Sequence, residues 1–221
     1  MLIDFSRCNQ IIRACHGSVV KSVLHVGAHT GEEALPYSAG GVEKILWVEA
    51  NSALAPILKR NIAQYAMQQA IISCALWDKN EILTFHVTNN FQSSSFFELQ
   101  THATHYPDIV VTEEKQIQAF RLDALIDAEP SHVPFTDFDF INIDTQGAEL
   151  AVLKGMGRYI NQPSIKGIYL EVNREPLYKG IPLVAEIDDF LAGADFHRIA
   201  TAWTKAGWGD ALYVKAITED W

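Results

Sequence analysis

The sequence predicts an α/β protein: a doubly wound, mostly parallel seven-stranded sheet with helices on both faces and a C-terminal antiparallel hairpin. Three observations carry this. Apolar strand-like runs alternate with helix-period segments, the pattern of a parallel sheet covered on both sides. Several runs end in glycine or in a carboxylate, as strands do where such a sheet presents a ligand edge. The last two runs, HRIATAW and ALYVKA, are joined by Thr204–Asp210. That link is too short for a parallel crossover, so these two strands pair antiparallel.

The elements follow in order. Residues 2–15 read as a short amphipathic helix. Ser22–Val26 is a short apolar strand, and Lys44–Glu49 (KILWVE) is a second. Between them a helix is expected from Thr30, where Thr30-x-x-Glu33 has the form of a capping box. Pro36 sits deep enough in that helix to make it short or kinked. Ser52–Met67 reads as a helix, with Leu54, Ile57, Leu58, Ile62 and Ala66 at helical spacing. Ala70–Ala75 is the third strand. Residues 78–122 differ: EILTFHV and KQIQAFRL alternate as strands do, around a loop-like NNFQSSSFFELQTHATHYPD, so this is a strand-rich insertion within a single domain of residues 1–221. Phe138–Ile143 is the fourth core strand and is followed by a helix from about Ala148 to Met156. Ile165–Val172 is the fifth. Leu183–Leu191 is helical, with Gly193 as its C-cap.

Composition narrows the function. The 221 residues are 48% hydrophobic and 20% charged, with a net charge of −10. An acidic chain without a Lys/Arg run argues against nucleic acid and anionic membrane surfaces as partners. Cys8, Cys15 and Cys74 show no C-x-x-C pair, so neither a disulfide framework nor a zinc site is expected. The opening MLIDFSRCNQIIRACHG lacks a signal-peptide core, and no apolar run is long enough to span a bilayer. A cytoplasmic location is expected; the oligomeric state is not legible.

The most informative stretch is LHVGAHTGEEALP, residues 24–36. Gly27, Ala28, His29 and Gly31 form a small-residue turn after a strand, where a ligand can approach the backbone. It is not G-x-G-x-x-G, and Glu32 and Glu33 would repel a pyrophosphate. S-adenosyl-L-methionine (SAM) has no phosphate and carries a sulfonium and an ammonium, so the loop suits SAM better than NAD or ATP. Glu49 ends the second strand 18 residues after Gly31, where a carboxylate can hold a ribose diol. Ala75 and Leu76, in Cys74-Ala75-Leu76-Trp77, offer apolar surface for an adenine.

A second cluster ends the fourth and fifth strands: Asp144 in NIDTQGAELAVLKGM, and Glu171 and Asn173 in IYLEVN. Adjacent parallel strands bring these together at the ligand edge of the sheet. Capping of the next helix by Asp144 or Thr145 is the bland alternative. Ser94 and Ser95, with Ser93, are candidate hydroxyl donors to a substrate. Asp144, Glu149 and Glu171 would suit a divalent cation without requiring one. The H-x-x-H pair His102 and His105 reads as polar loop, and no metal is expected. Trp203, Trp208 and Trp221 read as packing residues, with Trp208 also placed to stack on a sugar face.

VGAHTGEE, WVEANSAL, QSSSFFEL, RLDALI, INIDTQGAELAVLKGM and IYLEVN resemble, in order, the blocks of the FkbM-type SAM-dependent methyltransferase family. The resemblance covers roughly residues 22–175, and DTQGAE is its most specific block. It implies a class I, Rossmann-like fold and O-methylation of a hydroxyl on a sugar, glycan or secondary metabolite. By position, Gly27, Ala28, His29 and Gly31 resemble the cofactor loop. Glu49 resembles the ribose ligand, and Asp144 the group beside the methionine end and reaction centre. An acidic residue often found before the first loop glycine is His25 here. A hydroxyl loses its proton as it attacks, which calls for a base; Asp144 is the first candidate and His29 the second. A non-catalytic protein of the same fold and an NAD(P)-dependent enzyme are the competing readings. The intact loop, Glu49 and Asp144 disfavour the former, and the missing G-x-G-x-x-G with Glu32 and Glu33 the latter.

Overall fold

The computed structural model describes residues 1–128, 133 and 135–217. Seven strands form the main sheet: β1 (Ser22–Val26), β2 (Lys44–Val48), β3 (Gln68–Ile72), β7 (Phe140–Ile143), β8 (Gly167–Asn173), β9 (Phe196–Trp203) and β10 (Trp208–Lys215). Their order is β3-β2-β1-β7-β8-β10-β9. The first five run parallel, and β10 pairs antiparallel with both β8 and β9. The expected parallel sheet and terminal hairpin are therefore present, with β10 inserted between β8 and β9.

The order follows from burial. β1, β7 and β8 are buried at every position, as strands are when helices cover both faces. Alternate side chains feed two apolar layers. Leu24, Leu46, Ile141 and Leu170 face one layer with α5 (Leu122–Ala128), α6 (Glu149–Gly155) and α7 (Val184–Ala192). Val23, Ile45 and Phe140 face the other with α1 (Phe5–His16), α2 (Ala34–Ala39) and α3 (Ala55–Ile62).

The insertion is a second sheet, ordered β4-β6-β5, of β4 (Ala75–Leu76), β5 (Glu81–Thr88) and β6 (Val111–Phe120). Ala70–Ala75 is thus not one strand: β3 ends at Ile72, and Ala75–Leu76 pairs with β6 in the other sheet. Residues 89–110, including α4 (His102–His105), link β5 to β6 and are tied to the segment after β8. Gln100 N and His102 N donate to Leu177 O at 2.8 and 3.0 Å, and Lys179 N donates to Glu98 O at 2.8 Å.

Two helices are shorter than their periodicity suggested. The helix expected over 52–67 is helical only over Ala55–Ile62, after which Tyr65 N closes a turn onto Ile62 O. The helix expected from Thr30 begins at Ala34 without a side-chain cap. The Thr30 hydroxyl donates to Glu32 Oε1 (2.8 Å) instead of capping. Positive φ at His29 (45°) and Gly31 (82°) keeps the chain in turns until residue 34. Pro36 then falls in the first helical turn, where its missing N–H costs nothing.

Candidate functional site

The carboxyl ends of β1, β2 and β7 are laced together. Gly27 N and Ala28 N both donate to Val48 O at 2.9 and 3.1 Å, and Asp144 N donates to Val26 O at 2.9 Å. Gly27 has φ +84°, and a Cβ there would stand 1.7 Å from the Asp144 carbonyl oxygen. Only glycine lets β1 and β7 end this close together. The result puts Glu49 and Asp144 on the rim of one cleft of about 520 Å³, well within the size range of small-molecule sites.

Glu49 is fixed from behind. Its Oε2 accepts the His29 N–H (2.8 Å) and its Oε1 the Asn51 N–H (2.7 Å). Burial raises its carboxyl above the ordinary value, offset by those two N–H groups. The carboxylate still has lone pairs free toward the cleft, as a ribose ligand needs. Cys74, Ala75 and Leu76 line the same cleft.

His29 sits at this corner. Its Nδ1 lies 2.6 Å from Glu32 Oε1, which raises the imidazole's pKa. Burial would raise the Glu32 carboxyl, but hydrogen bonds from His29, its own backbone and Thr30 hold it down at about 2. Ala28 and Gly31 do not line the cleft. Gly31 packs beneath it, where a Cβ would meet Ile62 Cγ2 at 2.8 Å and Leu58 Cδ1 at 2.9 Å. His25 is buried and neutral. The Tyr37 hydroxyl lies 3.1 Å from its Nδ1, and burial pushes its pKa down to about 3.

Asp144 caps nothing. The N-cap of α6 is Ala148, without a side-chain cap. Glu149 organises the DTQGAE turn: it accepts from Thr145 N, the Thr145 hydroxyl and Gly147 N at 3.0–3.1 Å. Burial raises the Glu149 carboxyl to about 7 against those bonds. Gln146, at φ 53°, is the residue the sequence reasoning missed. Its amide Nε2 donates to Asp144 Oδ1 and to Glu171 Oε2, both at 2.9 Å, while its Oε1 accepts from the Tyr178 hydroxyl at 2.9 Å. One amide thus bridges two carboxylates. Its presence in the most specific block was the signal available in advance.

Asp144 opens to water inside the cleft. The surrounding protein thins that water, and the nearby Asp210 carboxylate adds to the effect; together they raise the Asp144 carboxyl to about 6. Burial first, then Asp144, Glu149 and Asp210, push Glu171 well above its ordinary value.

Of the expected substrate residues, Ser94 and Glu171 line the cleft, and Ser95 and Asn173 do not. The Ser95 hydroxyl donates to Gln146 O (2.7 Å) and accepts from Phe97 N (3.0 Å), tying the insertion to the DTQGAE turn. Asn173 lies behind Glu171, 3.4 Å from its Oε1. Among the described residues no group of three or more His, Cys, Asp or Glu is arranged to hold a metal, Asp144, Glu149 and Glu171 included. Trp203 lies under the Arg174 guanidinium, 4.0 Å from its ring centre. Trp208 lines the cleft, and Trp221 lies outside the described residues.

Six carboxylates line the cleft: Glu32, Glu33, Glu49, Asp144, Glu171 and Asp210. Among the described residues no Lys or Arg does, and the Met1 amine lies 3.7 Å from Glu33 Oε1. Such a site attracts cations and repels phosphates. No helix among the described residues is long and apolar enough to cross a membrane.

No curated protein matches the chain. A Pyrococcus horikoshii protein provisionally assigned as an RNA methyltransferase has a TM-score of 0.50 at 12% identity, covering 97% of this chain and 82% of that one. Magnesium protoporphyrin IX methyltransferase from Synechocystis, solved with SAM, has a TM-score of 0.48 at 9% identity, over 96% and 79% of the two chains. TrmK from M. capricolum, solved with S-adenosylhomocysteine, also has 0.48 at 9%, over 97% and 70%. At such identities the likeness is one of fold. SAM, the cofactor expected from the sequence, agrees with the comparison made on the sequence itself. The family model of the methyltransferase FkbM domain matches residues 25–198, more than half the chain; the chain belongs to the FkbM methyltransferase family.

Proposed function

We propose that the cleft binds SAM and promotes methylation of a hydroxyl on a small-molecule or glycan acceptor, with Asp144 as proton acceptor. The observation that carries this is the cleft's charge: six carboxylates against the Met1 amine beside Glu33 and, among the described residues, no Lys or Arg. SAM when bound supplies a methyl group made electrophilic by a cationic sulfur. The donor set fits it. Glu49, pinned by two backbone N–H groups, holds the ribose diol. Cys74, Ala75 and Leu76 give the base an apolar wall. Glu33 and Asp144 offer carboxylates to the ammonium of the methionine end.

The chain's own part in the chemistry is alignment and proton management. Aligning oxygen and methyl carbon supplies much of the catalysis in such a displacement. Asp144, with its carboxyl raised to about 6, is a stronger base than an ordinary aspartate and is still ionised near neutral pH. Gln146 fixes the position of its Oδ1. His29 is left to hold Glu49 and Glu32, which argues against it as the base. A charged cleft of this sign also disfavours nucleic acid as the acceptor.

The test is incubation of the protein with methyl-deuterated SAM and a panel of hydroxylated acceptors, read by mass spectrometry. Label appearing as a methyl ether is the expected result. Label on nitrogen or carbon, or label on an oligonucleotide in preference to every small acceptor, would overturn the reading.

A further inference from the structure

The sheet order divides the cleft into two halves. Glu49 follows β2 and Gly27 follows β1; Asp144 follows β7; Glu171 lies in β8, two residues before its end, and Trp208 and Asp210 begin β10. Asp144 is therefore two strands from Glu49 and two from Trp208, about 10 Å each way at the usual strand spacing. The nucleoside half lies over β1 and β2. The other half, over β8 and β10, holds Glu171 and Trp208, which the sequence marked as acceptor-side residues without saying what acceptor they suit.

Three features mark that half as a built site. His102 lines the cleft and is 3% exposed, yet its Nδ1 is sealed with no hydrogen-bond partner among the described residues. Buried polar atoms are nearly always paired; this nitrogen is out of a ligand's reach, so His102 enters the cleft as a wall. The His102 ring centre lies 4.9 Å from that of Tyr106 and 5.3 Å from that of Tyr178, so the imidazole belongs to a continuous aromatic wall. Trp208 donates its indole N–H to the Tyr106 hydroxyl at 3.0 Å. With its only donor used, the indole has just its faces to offer a ligand.

The third feature is a charge deficit. SAM brings a sulfonium, an ammonium and one carboxylate, a net charge of about +1 at neutral pH. The Met1 amine lies 3.7 Å from Glu33 and His29 Nδ1 2.6 Å from Glu32, which leaves Glu49, Asp144, Glu171 and Asp210 without a cationic partner among the described residues. Glu171 and Asp210 face each other across the β8–β10 pair, in this second half. Asp210 is partly satisfied by Leu2 N and the Tyr169 hydroxyl; Glu171 is partly satisfied by Gln146 and Asn173.

We infer that His102, Tyr106 and Trp208, with Glu171 and Asp210, form the acceptor subsite, and that it takes a hydroxylated ring bearing an amine. The ring lies on the Trp208 face, and the ammonium is held by the carboxylates and by cation–π attraction. Acceptors carrying phosphate or carboxylate are excluded, because like charges meeting in such a cleft are strongly penalised. This inference rests on the methyltransferase reading above and adds the charge class of the substrate.

The experiment is a fluorescence titration of the full chain saturated with S-adenosylhomocysteine, whose own affinity is measured first. The probes are glucosamine, N-acetylglucosamine and glucosamine 6-phosphate, which share a ring and differ in charge. Glucosamine is expected to bind about tenfold more tightly than the uncharged N-acetyl sugar, with no saturation by the phosphate. Trp208→Ala should weaken glucosamine binding about fivefold or more, while His102→Phe, which keeps the ring wall, should stay near wild type. Trp208→Phe, which keeps an aromatic face, should stay near wild type and guards against misfolding. S-adenosylhomocysteine affinity should hold within about twofold in all three variants. Equal or tighter binding of the N-acetyl or phosphorylated sugar, no saturable sugar binding, or indifference to Trp208→Ala would overturn the inference. Failure to bind S-adenosylhomocysteine would instead overturn the cofactor reading on which it rests.

Discussion

Replacing Gln146 with methionine tests the carboxylate bridge most sharply. Methionine keeps the length of the side chain and removes both hydrogen bonds donated by the amide, along with the one it accepts from Tyr178. Asp144 loses the donor that faces its Oδ1 at 2.9 Å, and Glu171 loses its bond at 2.9 Å. A hydrogen bond to a charged group contributes about 1.5–3 kcal/mol. At about 1.4 kcal/mol per pK unit, complete loss would raise the Asp144 pKa by about 1–2 units. Asp144 is open to water in the cleft, and water replaces part of the lost bond, so the lower figure applies. The Asp144 carboxyl should move from about 6 upward by about 1 unit. Carbon-13 NMR titration of aspartate-labelled protein reads this directly, with the resonance assigned by its disappearance in Asp144→Asn. The acidic limb of methyl transfer should shift by the same amount. An unchanged or lowered Asp144 pKa would refute the claim that Gln146 stabilises the ionised form.

Three further outcomes follow from the same geometry. Glu49→Gln leaves one of two backbone N–H groups facing an amide N–H₂ and removes the charge from the ribose ligand. S-adenosylhomocysteine affinity should fall about 10- to 100-fold by calorimetry, and an unchanged affinity would remove Glu49 from the site. Gly27→Ala puts a Cβ 1.7 Å from the Asp144 carbonyl oxygen at φ +84°. The two backbones must part, at a cost of about 3 kcal/mol from strain and overpacking together, read as a Tm fall of about 6–12 °C. The third outcome concerns pH. Burial raises Glu149 to about 7 from an ordinary 4.5, so between these values the folded state binds more protons than the unfolded one. That contribution to stability is complete below about pH 4.5 and is lost as pH rises through about 7. The ligand-free protein should therefore melt lower at pH 8 than at pH 5.5; the reverse slope would contradict the buried-carboxylate picture.

The sheet was legible because its physics is local. SVLHV, FINI and GIYLEVN are apolar over consecutive residues, as strands covered on both faces must be. The seven-residue link before the last strand excluded a parallel crossover. Glu49 and Asp144 were legible because each directly follows such a strand. The helix start after the glycine loop was misplaced because Thr30 and Glu33 have capping-box spacing. The tertiary fit of Gly31 against Leu58 and Ile62, with positive φ at His29, delays helix formation until Ala34. Ser95 and Asn173 looked like substrate residues by position; Asn173 sits two residues beyond Glu171, behind its carboxylate, and the contact that turns Ser95 to Gln146 joins residues far apart in sequence. The same holds for the His102–Tyr106–Trp208 wall, whose members lie on α4, the loop after it and β10.

The central claim is that this cleft binds an adenosine bearing a positive sulfur and no phosphate. A thermal-shift series with S-adenosylhomocysteine, SAM, NAD and ATP at equal concentration tests it most directly. A ligand present at about 100 times its Kd adds about 2.7 kcal/mol, a rise of about 5–10 °C for a chain of this size. The account predicts that rise with S-adenosylhomocysteine and SAM and none with NAD or ATP; a shift with NAD or ATP as large as with SAM would contradict it.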